Sequence, residues 1–274
     1  MYCGHMLAGV KMEINGSTKL MGVIGNPVFH SFSPFIHNAI AQKLGDNIVY
    51  TAFNVDATDF TTAVKGAEAL GIIGLNVTAP HKSEAARLAV SVDALAMQAD
   101  AVNLLKLTED GYIGYNTDIY GVRKAFEHMS IDVTGKTAAL VGAGGAGRAS
   151  ALAMAQMGAK KIHIINRTRS KAEVLANILE MHYNINIDIC ELRNCDADIL
   201  ILATTPEFVP QELGRFNTIF DVNYYPANRV PCAFGGLEML VYQAVQTYEI
   251  VLGVTVPVTI IDEILTEIKG RLLC

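Results

Sequence analysis

The chain has 274 residues, a length that fits one large domain or two domains and suffices to bury a substantial core. Apolar residues make up 51% of it and charged residues 18%, which excludes a disordered chain, and a net charge of −6 gives no electrostatic footprint for nucleic acid. The most apolar late stretch, 250–261, is interrupted by glycine and proline and is shorter than the roughly 20 residues of a membrane span. We therefore expect neither nucleic acid nor membrane as a partner.

Cysteine usage and the N-terminal residues bear on the cellular compartment. Five cysteines, with no C-x-x-C pair and no matching histidine spacing, indicate neither a disulfide framework nor a zinc site. The seven histidines form no metal-binding motif either. The first eleven residues contain no apolar run leading to a cleavage site. We expect a cytoplasmic protein without bound metal.

Short apolar runs of the β type alternate with stretches of helical spacing, which is typical of parallel βαβ units and predicts the α/β class. Strands are predicted over 21–24, 48–55 and 72–77, and helices over 34–44, 57–70 and 83–97. An Asp-Gly pair at 110–111 predicts a hairpin between strands 104–107 and 112–115.

A second series of elements follows a helical stretch at 119–128. It begins with strand 137–141, helix 146–157 ended by Gly158, and strand 161–165. It continues with helix 169–183, strands 185–190, 198–202 and 218–222, and tail helices at 236–249 and 257–273. We expect residues 119–236 to form a nucleotide-type domain and the tail to pack back on the first domain, leaving a cleft between two lobes.

The pattern G-x-G-x-x-G at 142–147 lies between a predicted strand and a predicted helix, as a dinucleotide-binding fingerprint requires. Glycines let the backbone approach a pyrophosphate, and the helix N-terminus offers N–H groups and a positive dipole end. The alternative is a glycine-rich turn that only packs strand on helix. Where an NAD site carries a carboxylate, the sequence has Asn166, Arg167 and Thr168. These residues favour NADP, with an ordinary polar turn as the alternative.

Several polar residues stand at predicted helix starts. Ser33, which precedes a proline, suits an N-cap, whereas Ser31 is unexplained; two hydroxyls at a helix N-terminus also suit a carboxylate ligand. Lys82 opposes the helix dipole, which argues against a merely solvated lysine. Asp118 suits the N-cap of the helix that follows it. Gln243 lies within an apolar stripe and needs a polar partner.

Eight separated motifs, in this order, resemble the shikimate dehydrogenase family from about Met21 onward. They are G-N-P-x-x-H-S-x-S-P at 25–34, N-V-T-x-P-x-K at 76–82, A-x-N at 101–103, N-T-D at 116–118, G-A-G-G-A at 142–146, N-R-T at 166–168, D-x-x-Y at 221–224 and M-L-V-x-Q at 239–243. Leu104, Val230 and Glu238 depart from residues common in the family, and the loop 203–210 lacks its usual Gly-Met pair. Because the resemblance starts near Met21, we expect residues 1–11 to be dispensable, with Met12 as an alternative start.

The resemblance implies an NADP-dependent enzyme that reversibly reduces 3-dehydroshikimate to shikimate in aromatic amino-acid biosynthesis. A quinate or dual quinate/shikimate dehydrogenase is the nearest alternative, and a non-catalytic ligand-binding regulator is a more distant one. The implied fold is an N-terminal α/β substrate domain (1–118) completed by C-terminal helices (237–274), with a Rossmann domain (119–236) between them. The expected partners are a small-molecule substrate and, at most, a second copy of the chain, since we expect a monomer or homodimer.

Site residues follow from the resemblance by position. The catalytic pair would be Lys82 and Asp118. The substrate-binding residues would be Ser31, Ser33, Asn76, Thr78, Asn103, Tyr224 and Gln243. The NADP-binding residues would be Gly142, Ala143, Gly144, Gly145 and Ala146 at the pyrophosphate, Asn166, Arg167, Thr168 and Lys171 at the 2′-phosphate, and Thr204, Val222 and Gly236 elsewhere along the cofactor.

Overall fold

A computed structural model describes residues 13–205, 213, 216–224, 230 and 233–272. Residues 1–11, which we expect to be dispensable, lie outside the described part of the chain. Cys3, Cys232 and Cys274 lie outside it too. The described strands form two six-stranded sheets, the first from strands within residues 19–115 and the second from strands within residues 137–235. Within the described residues, no helix combines the length and apolar character that crossing a bilayer requires.

The first sheet holds the N-terminal strands in mixed orientation. Its strands are β1 Lys19–Gly25, β2 Ile48–Asn54, β3 Gly74–Val77, β4 Ser91–Val92, β5 Leu104–Thr108 and β6 Gly111–Tyr115. Its helices are α1 Ser33–Leu44, α2 Phe60–Ala69, α3 Lys82–Leu88 and α4 Ala94–Ala99. Strand β1 pairs in parallel with β2 and β3, whereas β5 pairs antiparallel with β3 and β6. The predicted hairpin is confirmed, and Gly111 ends its turn with a φ of 117° that only glycine adopts readily.

The second sheet is parallel throughout and has the pairing of a doubly wound nucleotide-binding unit. Its strands are β7 Thr137–Val141, β8 Lys161–Ile165, β9 Asn186–Ile189, β10 Ile199–Leu202, β11 Thr218–Asp221 and β12 Phe234–Gly235. The helices are α5 Asp118–His128, α6 Gly145–Gln156 and α7 Arg169–His182, with a 3-10 turn at Leu192–Asn194. Helices α8 Gly236–Leu252 and α9 Val258–Leu272 complete the described chain.

The C-terminal helices pack on the first sheet. Met21 of β1, Ile36 of α1, Val241 and Tyr248 of α8 and Ile264 of α9 belong to one buried apolar cluster. Burying side chains of this size is worth roughly 1.5–3 kcal/mol each, so the chain's two ends are joined by a substantial apolar core. The α/β fold predicted from the sequence, with a returning tail and a Rossmann unit between, is confirmed.

One predicted helix is wrong. Residues 83–97 form the two helices α3 and α4, separated by the short strand β4. The N–H of Val90 donates to Tyr112 O at 2.8 Å, and that of Asp93 donates to Gly114 O at 2.9 Å. This pairing extends the sheet beyond β6, and Asp93 then caps α4 by accepting from Ala96 N. The sequence keeps a helical spacing of apolar residues across this break, because the intervening strand is only two residues long.

The predicted N-caps at two helix starts are also wrong. Helix α1 begins at Ser33, with Phe32 at the N-cap position, and the hydroxyl that accepts from the first turn is Ser31 Oγ, 3.2 Å from Ser33 N. Helix α5 begins at Asp118 itself, and Asn116 Oδ1 accepts from the N–H groups of Asp118 and Ile119. Because Asn116 satisfies these donors, the Asp118 carboxylate is available for another partner.

Candidate active site

A cleft of about 730 Å³ runs between the two sheets, at the carboxyl ends of β1, β3, β7, β10 and β11. Ligands in open α/β sheets bind at this edge. The described wall contains 17 of the residues predicted from the sequence: Ser31, Ser33, Asn76, Thr78, Lys82, Asn103, Asp118, Ala143, Gly144, Gly145, Ala146, Lys171, Thr204, Val222, Tyr224, Gly236 and Gln243. Gly142, Asn166, Arg167 and Thr168 are not part of that wall.

Lys82 and Asp118 form an ion pair in this cleft. Lys82 Nζ donates to Asp118 Oδ2 at 2.5 Å, and the two side chains are 18% and 9% exposed. The other carboxylate oxygen, Oδ1, accepts from Asn103 Nδ2 at 2.8 Å. Charge-assisted hydrogen bonds of this kind are about twice as strong as neutral ones, so they hold both charged groups in one orientation.

Two buried asparagines lie next to the pair, and Asn103 is the one that contacts it. Asn103 donates its other amide hydrogen to Thr117 Oγ1 at 3.0 Å and accepts from Thr117 N at 2.7 Å. Asn76 accepts from Tyr50 Oη at 2.8 Å and donates to Thr247 Oγ1 at 3.0 Å. Both amide donors of Asn103 are therefore used inside the protein, and the side chain orients Asp118.

Hydroxyl groups gather where α1 begins. Tyr224, in the loop after β11, lies beside Ser31, and burial raises the pKa of its hydroxyl above the usual value. Burial also raises the pKa of Tyr50, whose hydroxyl lies beside Ser33 and donates to Asn76 Oδ1. The rings of Phe32 and Tyr224 meet edge to face with centroids 5.9 Å apart. The hydroxyls of Ser31, Ser33 and Tyr224 line the cleft beside the positive end of the α1 dipole, an arrangement suited to an anionic group.

Gln243 finds its polar partners on α5 and α8. Its Nε2 donates to Leu240 O at 2.8 Å, and its Oε1 accepts from Thr117 Oγ1 at 3.4 Å. The close approach depends on Gly121, since a Cβ there would lie 2.6 Å from Met239 O and 3.0 Å from Gln243 Cβ. The side chain thus reaches the cleft wall at the junction of two helices.

The glycine-rich turn has the shape that a pyrophosphate requires. Gly142 has a φ of 109°, and a Cβ there would lie 2.3 Å from Ala203 O. A Cβ on Gly147 would lie 2.0 Å from Gly142 O, whereas a Cβ on Gly144 would meet no described atom within 4 Å. Gly142 and Gly147 are therefore glycines for packing, and Gly144 leaves the backbone bare on the cleft side. This cradle fits a dinucleotide.

Polar residues follow β8, at the position where an NAD site carries a carboxylate. Asn166 Oδ1 accepts from Ala143 N at 3.0 Å, and its Nδ2 donates to Thr168 O at 2.7 Å, so Asn166 holds the glycine-rich turn. Arg167 is exposed, and Lys171 on α7 reaches the cleft wall. Arg169 is engaged with Glu173 at 2.9 Å.

An ion pair that the sequence did not predict joins the two lobes. Arg148 of α6 donates from Nη1 to Asp100 Oδ2 at 2.6 Å, and both residues line the cleft. Asp100 follows α4 with a φ of 47°, a left-handed conformation that aspartate adopts more readily than most residues other than glycine. No local signal reveals this pair, because its members are 48 positions apart. The arginine directly after the glycine fingerprint was the only available hint.

A Rossmann-type unit whose bare glycine-rich turn faces a lysine–carboxylate pair across a cleft defines a dinucleotide-dependent oxidoreductase. The family model for the shikimate dehydrogenase substrate binding domain matches residues 23–105, and that for shikimate / quinate 5-dehydrogenase matches 123–211. Together they cover more than half of the 274 residues. The chain belongs to the shikimate dehydrogenase family.

Individual relatives agree with this assignment. A shikimate dehydrogenase (NADP+) from Caldanaerobacter subterraneus subsp. tengcongensis is 36% identical over 85% of this chain and 91% of its own. A shikimate dehydrogenase crystallised with NADP+ is 32% identical, with 96% of this chain and 99% of that chain covered and a TM-score of 0.81. The Thermus thermophilus enzyme, crystallised with NADP(H) and shikimate, is 26% identical over 91% of this chain and 99% of that one, with a TM-score of 0.79.

Proposed function

We propose that the chain catalyses the NADPH-dependent, reversible reduction of 3-dehydroshikimate to shikimate, a step of aromatic amino-acid biosynthesis. One observation carries the proposal. The Lys82 side chain, paired with Asp118, lies against the glycine-rich turn, where a Cβ on Gly145 would be 3.2 Å from Lys82 Cδ. A proton donor and a dinucleotide cradle therefore meet at one point of the cleft, as reduction of a ketone requires.

The cofactor site is assigned from the cradle outward. The backbone at 142–146 and the N-terminus of α6 bind the pyrophosphate. Arg167 and Lys171 bind the 2′-phosphate, and Asn166 with Thr168 shapes that end. Thr204, Val222 and Gly236, in or beside the strand-end loops of the second sheet, lie along the nicotinamide portion. When bound, NADPH supplies the hydride.

The substrate site is assigned to the first lobe. Ser31, Ser33 and Tyr224 bind the substrate carboxylate with hydroxyl donors at the N-terminus of α1. Thr78 and Gln243 contact substrate hydroxyls from opposite sides of the cleft wall. Asn76 and Asn103 shape the pocket, and Asn103 acts chiefly by orienting Asp118. A local positive site on a chain of net charge −6 then selects an anionic substrate.

Negative charge develops on the ketone oxygen as the hydride arrives, and the Lys82 ammonium stabilises it there. The proton comes from the Lys82–Asp118 pair. Asp118 fixes the direction of the ammonium group, and Asn103 fixes Asp118 through a 2.8 Å hydrogen bond. Neither role needs a metal ion.

We further propose that the substrate lobe extends to residue 118, the cofactor lobe spans 119–236 and the tail 237–274 returns to the first lobe. The packing of α8 and α9 against β1 and α1 supports this division. We also propose a cytoplasmic location and a monomeric or homodimeric state. Sedimentation of the purified protein tests the oligomeric state.

The decisive experiment follows NADPH oxidation by the purified protein with 3-dehydroshikimate, and NADP+ reduction with shikimate. We expect turnover in both directions. Quinate with either cofactor forms the second arm, since the matched family model includes quinate dehydrogenases. Faster turnover of quinate than of shikimate would reassign the substrate, and shikimate binding without turnover would indicate a regulator.

A further inference from the structure

Three metal-ligating side chains meet on the second sheet. His163 lies within β8, Cys190 follows β9, and Cys195 follows the 3-10 turn Leu192–Asn194. His163 Nδ1 is 3.5 Å from Cys190 Sγ, and the ligating atoms of the three residues all lie within 4.8 Å of one another. The described wall of the cleft contains none of them, so the proposed reaction does not use this cluster.

A carboxylate lies beside the cluster, in contact with His163 but outside the group of three whose ligating atoms are all within 4.8 Å of one another. Strand pairing places Asp188 of β9 opposite His163, and Asp188 Oδ2 is 3.2 Å from His163 Nδ1. Backbone hydrogen bonds fix the two cysteines: Cys190 N donates to Ile164 O at 3.3 Å, and Cys195 N donates to Leu192 O at 3.0 Å. Paired strands and one turn of the backbone therefore hold these residues near one another.

We propose that His163, Cys190 and Cys195 bind one zinc-like divalent cation and that the half-exposed Asp188 side chain turns toward the ion as the fourth ligand. In a tetrahedral zinc site, bonds of about 2.3 Å to sulfur and 2.0–2.1 Å to nitrogen or oxygen separate sulfur from nitrogen by roughly 3.5 Å and nitrogen from oxygen by roughly 3.3 Å. The 3.5 Å between His163 Nδ1 and Cys190 Sγ matches the first value, and the other ligating atoms of the group, within 4.8 Å, would be drawn closer by the ion. Two thiolates with an imidazole select zinc over magnesium or calcium, which prefer oxygen ligands.

Charge and burial also suit a bound cation. His163 and Cys195 are buried, whereas the Asp188 side chain is 48% exposed and leaves one side for ion entry. Binding removes one proton from each thiol and leaves the imidazole proton on Nε2. Two thiolates, one carboxylate and one divalent ion sum to −1, and Lys161 Nζ, 3.7 Å from Asp188 Oδ2, offsets that charge. The Cys195 thiol gives up its hydrogen bond to Glu191 O in exchange.

Metal content of the full-length protein, purified without chelator, tests the proposal directly. We expect one zinc ion per chain, and cobalt added to the chelator-stripped protein should give thiolate charge-transfer bands and the visible bands of tetrahedral coordination. Zinc should also raise the melting temperature by on the order of 5 °C when present at about 100 times its dissociation constant. A cobalt complex without charge-transfer bands, or a protein isolated with a Cys190–Cys195 disulfide and no zinc, would overturn the proposal.

Matched variants separate ligands from bystanders. Cys190→Ser and Cys195→Ser should weaken zinc binding more than the roughly 10–100-fold that follows loss of an outer-shell residue. His182→Gln, an exposed histidine at the end of α7, should retain one zinc per chain. Should a serine variant fail to fold, the half-exposed Asp188→Asn supplies the test, with an expected loss of at least about 10-fold. Zinc retained at full affinity in both Asp188→Asn and a folded serine variant would refute the site.

Discussion

Lys82 and Asp118 are the first residues of two different helices, α3 and α5, and their side chains meet with Nζ 2.5 Å from Oδ2. A lysine at a helix N-terminus opposes the dipole there, by about 0.3–1 kcal/mol, whereas an aspartate gains a similar amount. Lys82 therefore has an unfavourable interaction with the dipole of its helix, and Asp118 has a favourable one. The unfavourable placement of Lys82 is explained by the cleft it faces, not by helix stability.

The first prediction concerns Lys82→Ala. We expect kcat to fall by about 10²–10⁴-fold with little change in KM, because the lost interaction strengthens as charge develops on the ketone oxygen. Steady-state kinetics with 3-dehydroshikimate and NADPH measure both constants. Lys65→Ala, at an exposed position of α2, is the matched control and should leave both unchanged. A raised KM with near-normal kcat would make Lys82 a binding residue.

The second prediction concerns the cofactor. Arg167 is exposed at the end of β8, where the sequence offers no carboxylate to repel a 2′-phosphate. One charge-assisted contact of about 1.5–3 kcal/mol corresponds to a roughly 10–150-fold preference for NADPH over NADH in kcat/KM, and Arg167→Ala should remove most of it. Both cofactors are compared in both proteins.

Arg169→Ala is the control for the arginine effect, since the Arg169 guanidinium is engaged with Glu173. It should keep the NADPH preference. An unchanged preference in Arg167→Ala together with its loss in Lys171→Ala would place the 2′-phosphate on α7. Equal use of both cofactors by the unmodified enzyme would contradict the assignment to NADP.

Local rules predicted the parts of the site that depend on local geometry. The glycine fingerprint was predicted correctly because Gly142 needs a positive φ and Gly147 a close backbone contact, and both requirements appear within six residues. Asp118 was assigned wrongly as an N-cap on local rules, because its neighbour Asn116 provides the cap. Only the family resemblance indicated its pairing with Lys82.

The rest of the site could not be predicted, because its interacting residues are far apart in the sequence. Arg148 and Asp100, and likewise His163 and the two cysteines near residue 190, come together only once the sheets have formed. The break between α3 and α4 has the same origin, because a pairing with β6 overrides a helical pattern that continues through it. Tertiary pairing of this kind leaves no periodic signal in the chain.

The third prediction tests the packing role of the glycine-rich turn. Gly147→Ala should lower the free energy of unfolding by about 1–3 kcal/mol or more, since its Cβ would lie 2.0 Å from Gly142 O, a backbone atom that cannot move aside cheaply. Gly144→Ala is the matched control and should change that free energy by less than about 0.5 kcal/mol. Because Gly144 lies on the cleft wall, the added methyl group should hinder cofactor binding and raise the KM for NADPH instead. Equal stability of the two variants in urea unfolding would contradict the packing role.

The last prediction concerns His37, which is buried in α1 and stacked on Tyr50 with ring centroids 4.0 Å apart. Neither ring nitrogen has a hydrogen-bond partner among the described residues, and burial lowers the pKa of His37 to about 3. Between that value and the unfolded pKa of about 6.5, the unfolded chain binds one more proton than the folded chain, so stability must fall as pH drops below 6.5.

His37→Phe keeps the stacked ring and removes the titrating group, so its unfolding free energy should depend less on pH across this window, by up to about 1.4 kcal/mol per pH unit. His182→Phe, at an exposed site, should follow the unmodified protein. Parallel stability profiles for His37→Phe and the unmodified protein from pH 7 to 4, measured by urea unfolding, would contradict the prediction, because they would show that His37 takes up its proton at the same pH in the folded and unfolded states.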